Sequence, residues 1–263
     1  MKITQSIAAA SLLALVPIAH ADFVDTFDGY TQNVSNWDGS YSYNDEVPWV
    51  RNGTNDSRVE TTSIDGNTGA KLMTRAHESW YHREILTPEN ATRVTMTASV
   101  GLAHGTTTHS AHPRANHIVL GNVALGITGS QISHLLWDGT VGGASISNLT
   151  VINDGVIAAD TWYTVKIDWN IVSGDNNDTA DLYYKLEGAS EYTTIKLGLE
   201  TGADLTSTVY LAQWGHSTYN GAIDNVTLHT VIPEPSAMGL LGIGAVLMFT
   251  RQWRAQNPCI GQR

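Results

Sequence analysis

The stretch Asp160-Thr161-Trp162-Tyr163-Thr164-Val165-Lys166-Ile167-Asp168-Trp169-Asn170-Ile171-Val172 decides the fold. Tyr163, Val165, Ile167 and Trp169 fall on one side of an extended chain. Thr164, Lys166, Asp168 and Asn170 fall on the other, because successive side chains of a strand point to opposite faces. Ser173-Gly174-Asp175-Asn176-Asn177-Asp178 then supplies turn chemistry, and Leu182, Tyr184 and Leu186 alternate with Asp181, Tyr183, Lys185 and Glu187. This predicts a hairpin with one dry face.

The same short alternation recurs outward in both directions, broken by residues rich in Gly, Asn, Asp and Ser. Val94 to Leu102 is the next clearest strand, with Val94, Met96, Ala98, Val100 and Leu102 in phase. Ala70 to Arg75, Trp80 to Leu86, His117 to Leu120, Ser145 to Val151, Thr208 to Trp214 and Ala222 to His229 follow less cleanly. No stretch holds a helical period. About twelve strands in about 210 residues suit one domain of two packed sheets. Composition agrees: thirty Thr against five Lys favour strands over exposed helices. Apolar residues at 42% supply a core.

Charge narrows the function. All 25 acidic residues lie within Asp22 to Pro235, whereas Lys2, Arg251, Arg254 and Arg263 lie outside. The Asp22–Pro235 segment therefore carries ten basic groups and a net charge of −15, against −11 for the whole chain. Such a surface is not built to neutralise nucleic-acid phosphates, so no nucleic-acid partner is expected. It also counts against a polyuronate ligand, and neutral glycans, or calcium-bridged acidic ones, are the better first candidates. The single Cys259 permits no internal disulfide and no Cys-based zinc site.

The ends read as delivery signals. Lys2 precedes an uncharged run from Ile7 to Ile18, and Ala19-His20-Ala21 has the small-x-small form of a secretory cleavage site, which predicts a signal peptide over 1–21 and cleavage before Asp22. At the other end Pro233-Glu234-Pro235 precedes an uncharged stretch that ends at Thr250, followed by Arg251, Trp253 and Arg254. The uncharged run from Pro235 to Thr250 makes about 24 Å of helix, a short transmembrane anchor with a basic stop. Together these parts resemble the PEP-CTERM sorting signal, here over 232–254, with an extension over 255–263 beyond the usual basic end. The resemblance implies export through the Sec machinery of a Gram-negative bacterium, recognition by an exosortase, transient membrane anchoring, and residence at the cell surface or in the extracellular matrix.

The body, 22–231, resembles the concanavalin A-like lectin/glucanase jelly roll, including laminin-G-like modules. The likeness rests on Phe23-Val24-Asp25-Thr26-Phe27-Asp28, the Asp160–Tyr184 hairpin and Ala222-Ile223-Asp224-Asn225-Val226. It implies an all-β, two-sheet antiparallel sandwich whose first and last strands pair. It also implies a structural Ca²⁺ in many relatives, for which Asp25, Asp28 and Asp224 supply hard oxygens. The competing reading is that these carboxylates cap turns.

Three further constellations invite a functional reading. His104, His109, His112 and His117 crowd one loop, but their spacing matches no metal motif, and a solvated loop explains them. In Trp80-Tyr81-His82-Arg83-Glu84-Ile85, Tyr81 and Arg83 share one strand face with Ile85, and His82 and Glu84 the other. With His117, Gln213 and His216, and Tyr219 nearby, Arg83 and Tyr81 form a candidate lyase set. The likeness to alginate-lyase jelly rolls is faint, and the alternating carboxylates of laminarinase-type hydrolases are absent. Trp80, Trp137 and Trp214 are candidate sugar-stacking residues, among other aromatics including Trp37, Trp49, Tyr41 and Tyr43, whereas Trp162 and Trp169 read as core. The leading expectation is a non-catalytic, surface-sorted sandwich that binds extracellular polysaccharide or serves the matrix. The alternatives are a polysaccharide lyase or glycoside hydrolase of the same fold, and a purely structural envelope protein.

Overall fold

The hairpin that anchors the reading forms as expected, from β11 (Thr161–Asn170) and β12 (Thr179–Leu186). It is described in a computed structural model that covers residues 20–28, 49–52, 57–61, 69–74, 77–85, 87, 90–102, 115–128, 131–137, 150–157, 160–172, 176–215 and 221–232. The other strands, in chain order, begin with β1 (His20–Asp25), β2 (Val50–Asn52), β3 (Ser57–Thr61), β4 (Ala70–Thr74) and β5 (His77–Glu84). They continue with β6 (Arg93–Leu102), β7 (Ala115–Leu120), β8 (Val123–Thr128), β9 (Gln131–Leu136) and β10 (Thr150–Val156). The last three are β13 (Thr193–Glu200), β14 (Thr208–Gly215) and β15 (Gly221–Val231).

These strands make two antiparallel sheets. The first runs β13-β12-β11-β6-β15-β4-β3, with β1 also paired to β15, and the second runs β10-β9-β8-β7-β14-β5-β2. The pairing of β1 with β15 is the closure of first on last strand that the jelly-roll likeness implied. The fold is the expected all-β sandwich. The C-terminal hydrophobic helix, Pro233-Glu234-Pro235 and the leader before His20 lie outside the described residues.

Alternation builds the core from both sheets. Val165, Ile167 and Trp169 of β11, Val94, Met96, Ala98 and Val100 of β6, and Ile223 and Leu228 of β15 face Ile118, Leu120, Leu125, Val209 and Leu211 of the second sheet. Each fully buried Val, Leu or Ile contributes about 1.5–3 kcal/mol. Trp162, on the opposite face of β11 from Val165, is also buried, and it covers Gly101, where an added Cβ would lie 2.9 Å from the ring.

One carboxylate ties the lower edge together. Asp178 is buried and accepts from the Trp169 indole at 2.7 Å, the Val172 amide at 2.9 Å and the Leu205 amide at 3.1 Å. Its backbone carbonyl accepts from the Thr201 hydroxyl at 2.8 Å. Thus Asp178 joins the end of β11 and the start of β12 to the connection between β13 and β14. The Trp169 ring in turn packs on the β7–β8 turn at Gly121, where φ is +59° and an added Cβ would come within 2.5 Å of the ring. Only glycine serves there without strain.

Candidate functional site

The middle strands of the second sheet bury side chains on both faces. Opposite the sandwich core, Val119 (β7), Ala124 (β8), Leu135 (β9), Ala212 (β14) and Trp137 form a second buried apolar cluster, against which the half-buried Tyr210 packs. Register explains the row: His82 of β5 pairs with Tyr210, Tyr210 with Val119, Val119 with Ala124, and Ala124 with Leu135. Trp137 follows two residues later and is pinned by its amide, which donates to the Asn122 carbonyl at 2.6 Å.

The rings make a ladder across this outer face. Trp137 meets Tyr210 edge to face at 4.6 Å between centroids, and His82 lies 6.1 Å from Tyr210 on the other side. Trp80 pairs with Ala212 and so takes a register position on the same face. Trp214 does likewise, four residues along β14 from Tyr210. By backbone register, Trp80 and Trp214 thus share the parity of Tyr210. Tyr210 is the residue that sequence reading passed over, although it shares the parity of Trp214 within the strand already recognised.

One rung away lies a buried polar knot. Ala212 pairs with His117, His117 with Gly126, and Gly126 with Ser133. His117 Nε2 and Ser133 Oγ share a hydrogen bond at 2.9 Å. Thr128 Oγ1 reaches Ser133 Oγ at 2.6 Å and His117 Nε2 at 3.4 Å. Burial lowers the His117 pKa to about 3, with the neighbouring His134 adding to the effect. The imidazole is therefore neutral at physiological pH. Gly126 has no room for a side chain, because a Cβ would run into the Asn116 carbonyl oxygen of β7.

The candidate lyase set is divided by this geometry. Tyr81 is fully buried within the sandwich core. Arg83 is 4% exposed, and its guanidinium stands over the Phe23 ring at 4.1 Å and near Trp49 at 6.0 Å. Gln213, also buried, donates to the Leu72 carbonyl at 3.2 Å across the sandwich. These three share the inward face, whereas His117 is on the outward one, so the sheet itself stands between them. His216, Tyr219, His104, His109 and His112 lie outside the described residues. Trp49 proves to be core, fully buried and edge-on to Phe23.

The calcium candidates sit where the paired first and last strands meet, and there they serve turns. Asp25 accepts from the Phe27 amide at 2.8 Å with one oxygen and from the Trp49 indole at 2.9 Å with the other. Asp224 accepts from the Asn225 amide at 2.7 Å, and Asp28 is exposed. Among the described residues no group of three or more His, Cys, Asp or Glu side chains is placed to hold a metal ion. A calcium ion at this edge would need to draw further oxygens from elsewhere and to share Asp25 with the Phe27 amide and the Trp49 indole. We expect excess EDTA to leave the melting temperature of the domain unchanged in a thermal scan. A fall restored by added Ca²⁺ would reverse this reading.

The last strand leads directly into the delivery signal. β15 ends at Val231, whose carbonyl accepts from the Thr92 amide at 3.0 Å, and residues 231–255 match the family model for the PEP-CTERM protein-sorting motif. The chain carries a PEP-CTERM sorting motif. Such a motif implies an exported, surface-directed protein of a Gram-negative bacterium. A search of curated proteins finds no match to the sequence. Among solved structures, the domain is similar to a protein of unknown function from Shewanella oneidensis MR-1, with 11% identity over 88% of this chain and 97% of that one, at a TM-score of 0.48. An alginate lyase from Chlorella virus shares 11% identity over 69% of this chain and 93% of its own, at 0.43. The exoplasmic/lumenal domain of VIP36 in its Ca²⁺-bound form shares 10% over 72% and 85%, at 0.45. None of these likenesses carries an activity over to the PEP-CTERM chain.

Proposed function

We propose that this is an exported, non-catalytic carbohydrate-binding protein, processed by an exosortase and held at the cell surface or in the polysaccharide matrix. Its binding face is the outer side of the second sheet where β14 meets β5. The supporting observation is the pair of half-buried rings Tyr210 and His82, backed by the buried Trp137, with Trp80 and Trp214 at register positions of the same parity. Aromatic rings pack on the apolar face of a pyranose, and the half-buried Tyr210 and His82 add polar edges for its hydroxyls. The net charge of −15 over Asp22–Pro235 favours a neutral glycan over a polyanion.

The absence of turnover in this reading rests on the division of Arg83, Tyr81 and Gln213 from His117. A panel of neutral and acidic polysaccharides, assayed together for binding and for release of unsaturated or reducing ends, tests it. We expect binding to neutral glycans without product. Product formation that persists in Arg83→Lys would establish an enzyme with a different catalytic set, and silence in both assays would leave a structural envelope protein.

A further inference from the structure

We propose that the outer face of the first sheet carries a second site, built by Lys166, Lys185, Tyr183 and Tyr192, that takes one carboxylate-bearing sugar residue within an otherwise neutral glycan. It rests on the reading of this chain as a glycan binder, and adds a different face, different residues and a different ligand charge. Register brings the groups together. Tyr183 of β12 pairs with Lys166 of β11, and Lys185 with Thr164, while the alternate residues Val165, Ile167 and Leu182 fill the core. Tyr192 comes from the turn between β12 and β13 and stands edge to face with Tyr183, 6.3 Å between centroids. The Lys166 ammonium lies 4.2 Å from the centre of the Tyr183 ring and 5.1 Å from that of Tyr192, and the Lys185 ammonium lies 4.7 Å from Tyr192. Two cations and two rings thus share one corner of the sheet.

Most carboxylates nearby are already engaged. Asp168 is buried and accepts from the Lys166 ammonium at 2.8 Å and the Thr95 hydroxyl at 2.6 Å. Asp181 accepts from the Asn170 side-chain amide at 3.1 Å and the Gly198 amide at 2.7 Å, and Glu187 accepts from the Ser99 hydroxyl at 3.2 Å, whereas Glu191 is exposed. Lys185 donates to a neutral acceptor, the Ala189 carbonyl, at 2.9 Å. An ammonium has three donors, so both lysines keep N–H groups for a ligand. Arg93 of β6 has the same outward parity and pairs with Asn170. Three of the ten basic groups in Asp22–Pro235 therefore gather on this face.

These groups suit an acidic sugar. A carboxylate accepts charge-assisted hydrogen bonds from ammonium groups, and the ring that bears it packs against tyrosine. Burial, Asp181 and Asp168 hold the Tyr183 phenol above its ordinary range, and burial and Asp168 do so for Tyr192, so both hydroxyls keep the proton and can donate it in hydrogen bonds. The charge of −15 over Asp22–Pro235 repels a chain with a carboxylate on every residue. One acidic residue among neutral ones meets the local cations without that opposition.

The test titrates the full-length chain, in detergent, with two matched probes. One is a gluco-oligosaccharide ending in a single glucuronate, and the other is the same oligosaccharide after reduction of that carboxyl to the alcohol. We expect wild type to bind the acid probe about tenfold more tightly than the reduced one at low salt, with most of the preference lost in about 0.5 M salt. Lys185→Ala and Tyr192→Ala should abolish the preference, and Lys185→Arg should keep it. Tyr210→Ala should weaken the reduced probe and leave the acid probe bound. Equal affinities of wild type for the two probes, or a preference unchanged in Lys185→Ala, would overturn this site while leaving the neutral face of the second sheet intact. Binding of the acid probe alone, lost in Lys185→Ala, would uphold this site and overturn the neutral one. Failure of both probes to bind would overturn both.

Discussion

Asp178→Ala is expected to lower the stability of the domain by about 3 to 5 kcal/mol, measured as the free energy of urea unfolding. The carboxylate is buried and accepts three N–H donors, from Trp169, Val172 and Leu205. Alanine leaves all three without this acceptor: the buried Trp169 indole costs about 1–3 kcal/mol when orphaned, and the part-buried Val172 and Leu205 amides cost less. The loss extends beyond the turn, because Trp169 is fully buried, fills the core and sets the packing at Gly121. Asp178→Asn is expected to cost less, about 2 kcal/mol, since one amide oxygen still accepts while the NH₂ group faces a donor. A loss below about 1 kcal/mol for Asp178→Ala would show that the hydrogen bonds at this edge are replaced by water.

Acid is expected to destabilise the domain through His117 over a defined window. Its folded-state pKa, about 3, lies below the ordinary value of 6.5, because burial disfavours the charged ring and His134 adds repulsion. Between those values the unfolded chain takes up a proton that the folded chain refuses. The contribution of a neutral His117 is therefore fully present above pH 6.5 and is lost as pH falls towards about 3. The slope is about 1.4 kcal/mol per pH unit, or roughly 4 kcal/mol by about pH 3.5. His134, whose pKa is lowered chiefly by burial and also by Lys196, acts in the same direction. Unfolding free energies of wild type and His117→Gln between about pH 6.5 and 5, above the range where carboxylates titrate, isolate the effect. The two stabilities should converge as pH falls, and parallel curves would place the protonatable group elsewhere.

Much of the fold was legible because alternation survives wherever a strand has one dry face. β11, β12 and β6 follow that rule, and their inward residues are those that the pattern selects. Five strands escaped for physical reasons. In β8 every residue is buried, with Val123, Leu125 and Ile127 in the sandwich core and Ala124 in the outer cluster, so Val123–Thr128 shows no period of two. Its neighbour β9, Gln131–Leu136, likewise buries Ile132 on one face and Leu135 on the other. At the opposite extreme, β13 is a largely exposed edge strand with two register shifts, which erase the pattern in Thr193–Glu200. β2 and β3, at the far edges of the two sheets, are only three and five residues long, too short for alternation to stand out.

The site was legible in part. Parity within β5 placed Tyr81 and Arg83 together, opposite His82, but parity cannot say which face meets the other sheet. Arg83 reads from sequence as a charge for solvent or substrate, yet it stands over Phe23, a contact between residues sixty positions apart that no local pattern encodes. Asp25 is readable as a hard oxygen donor, whereas its bond from the Trp49 indole, twenty-four positions away, is not encoded locally. Pairing of β5 with β14 puts Trp80 opposite Ala212 and Trp214 opposite Glu78, a register that neither strand's own alternation encodes.

The central claim is tested most directly by titrating a neutral glycan that binds the wild-type domain into two single variants, Tyr210→Ala on the outer face of the second sheet and Tyr183→Ala on the first sheet. Tyr183 is a fair control, because it is another partly buried tyrosine, packed under Lys166 at 4.2 Å and far from the ladder in sheet order. The account predicts at least a tenfold loss of affinity for Tyr210→Ala, about 1.4 kcal/mol, with Tyr183→Ala unchanged and both variants folded. Equal affinities for wild type and Tyr210→Ala, or a loss confined to Tyr183→Ala, would contradict it.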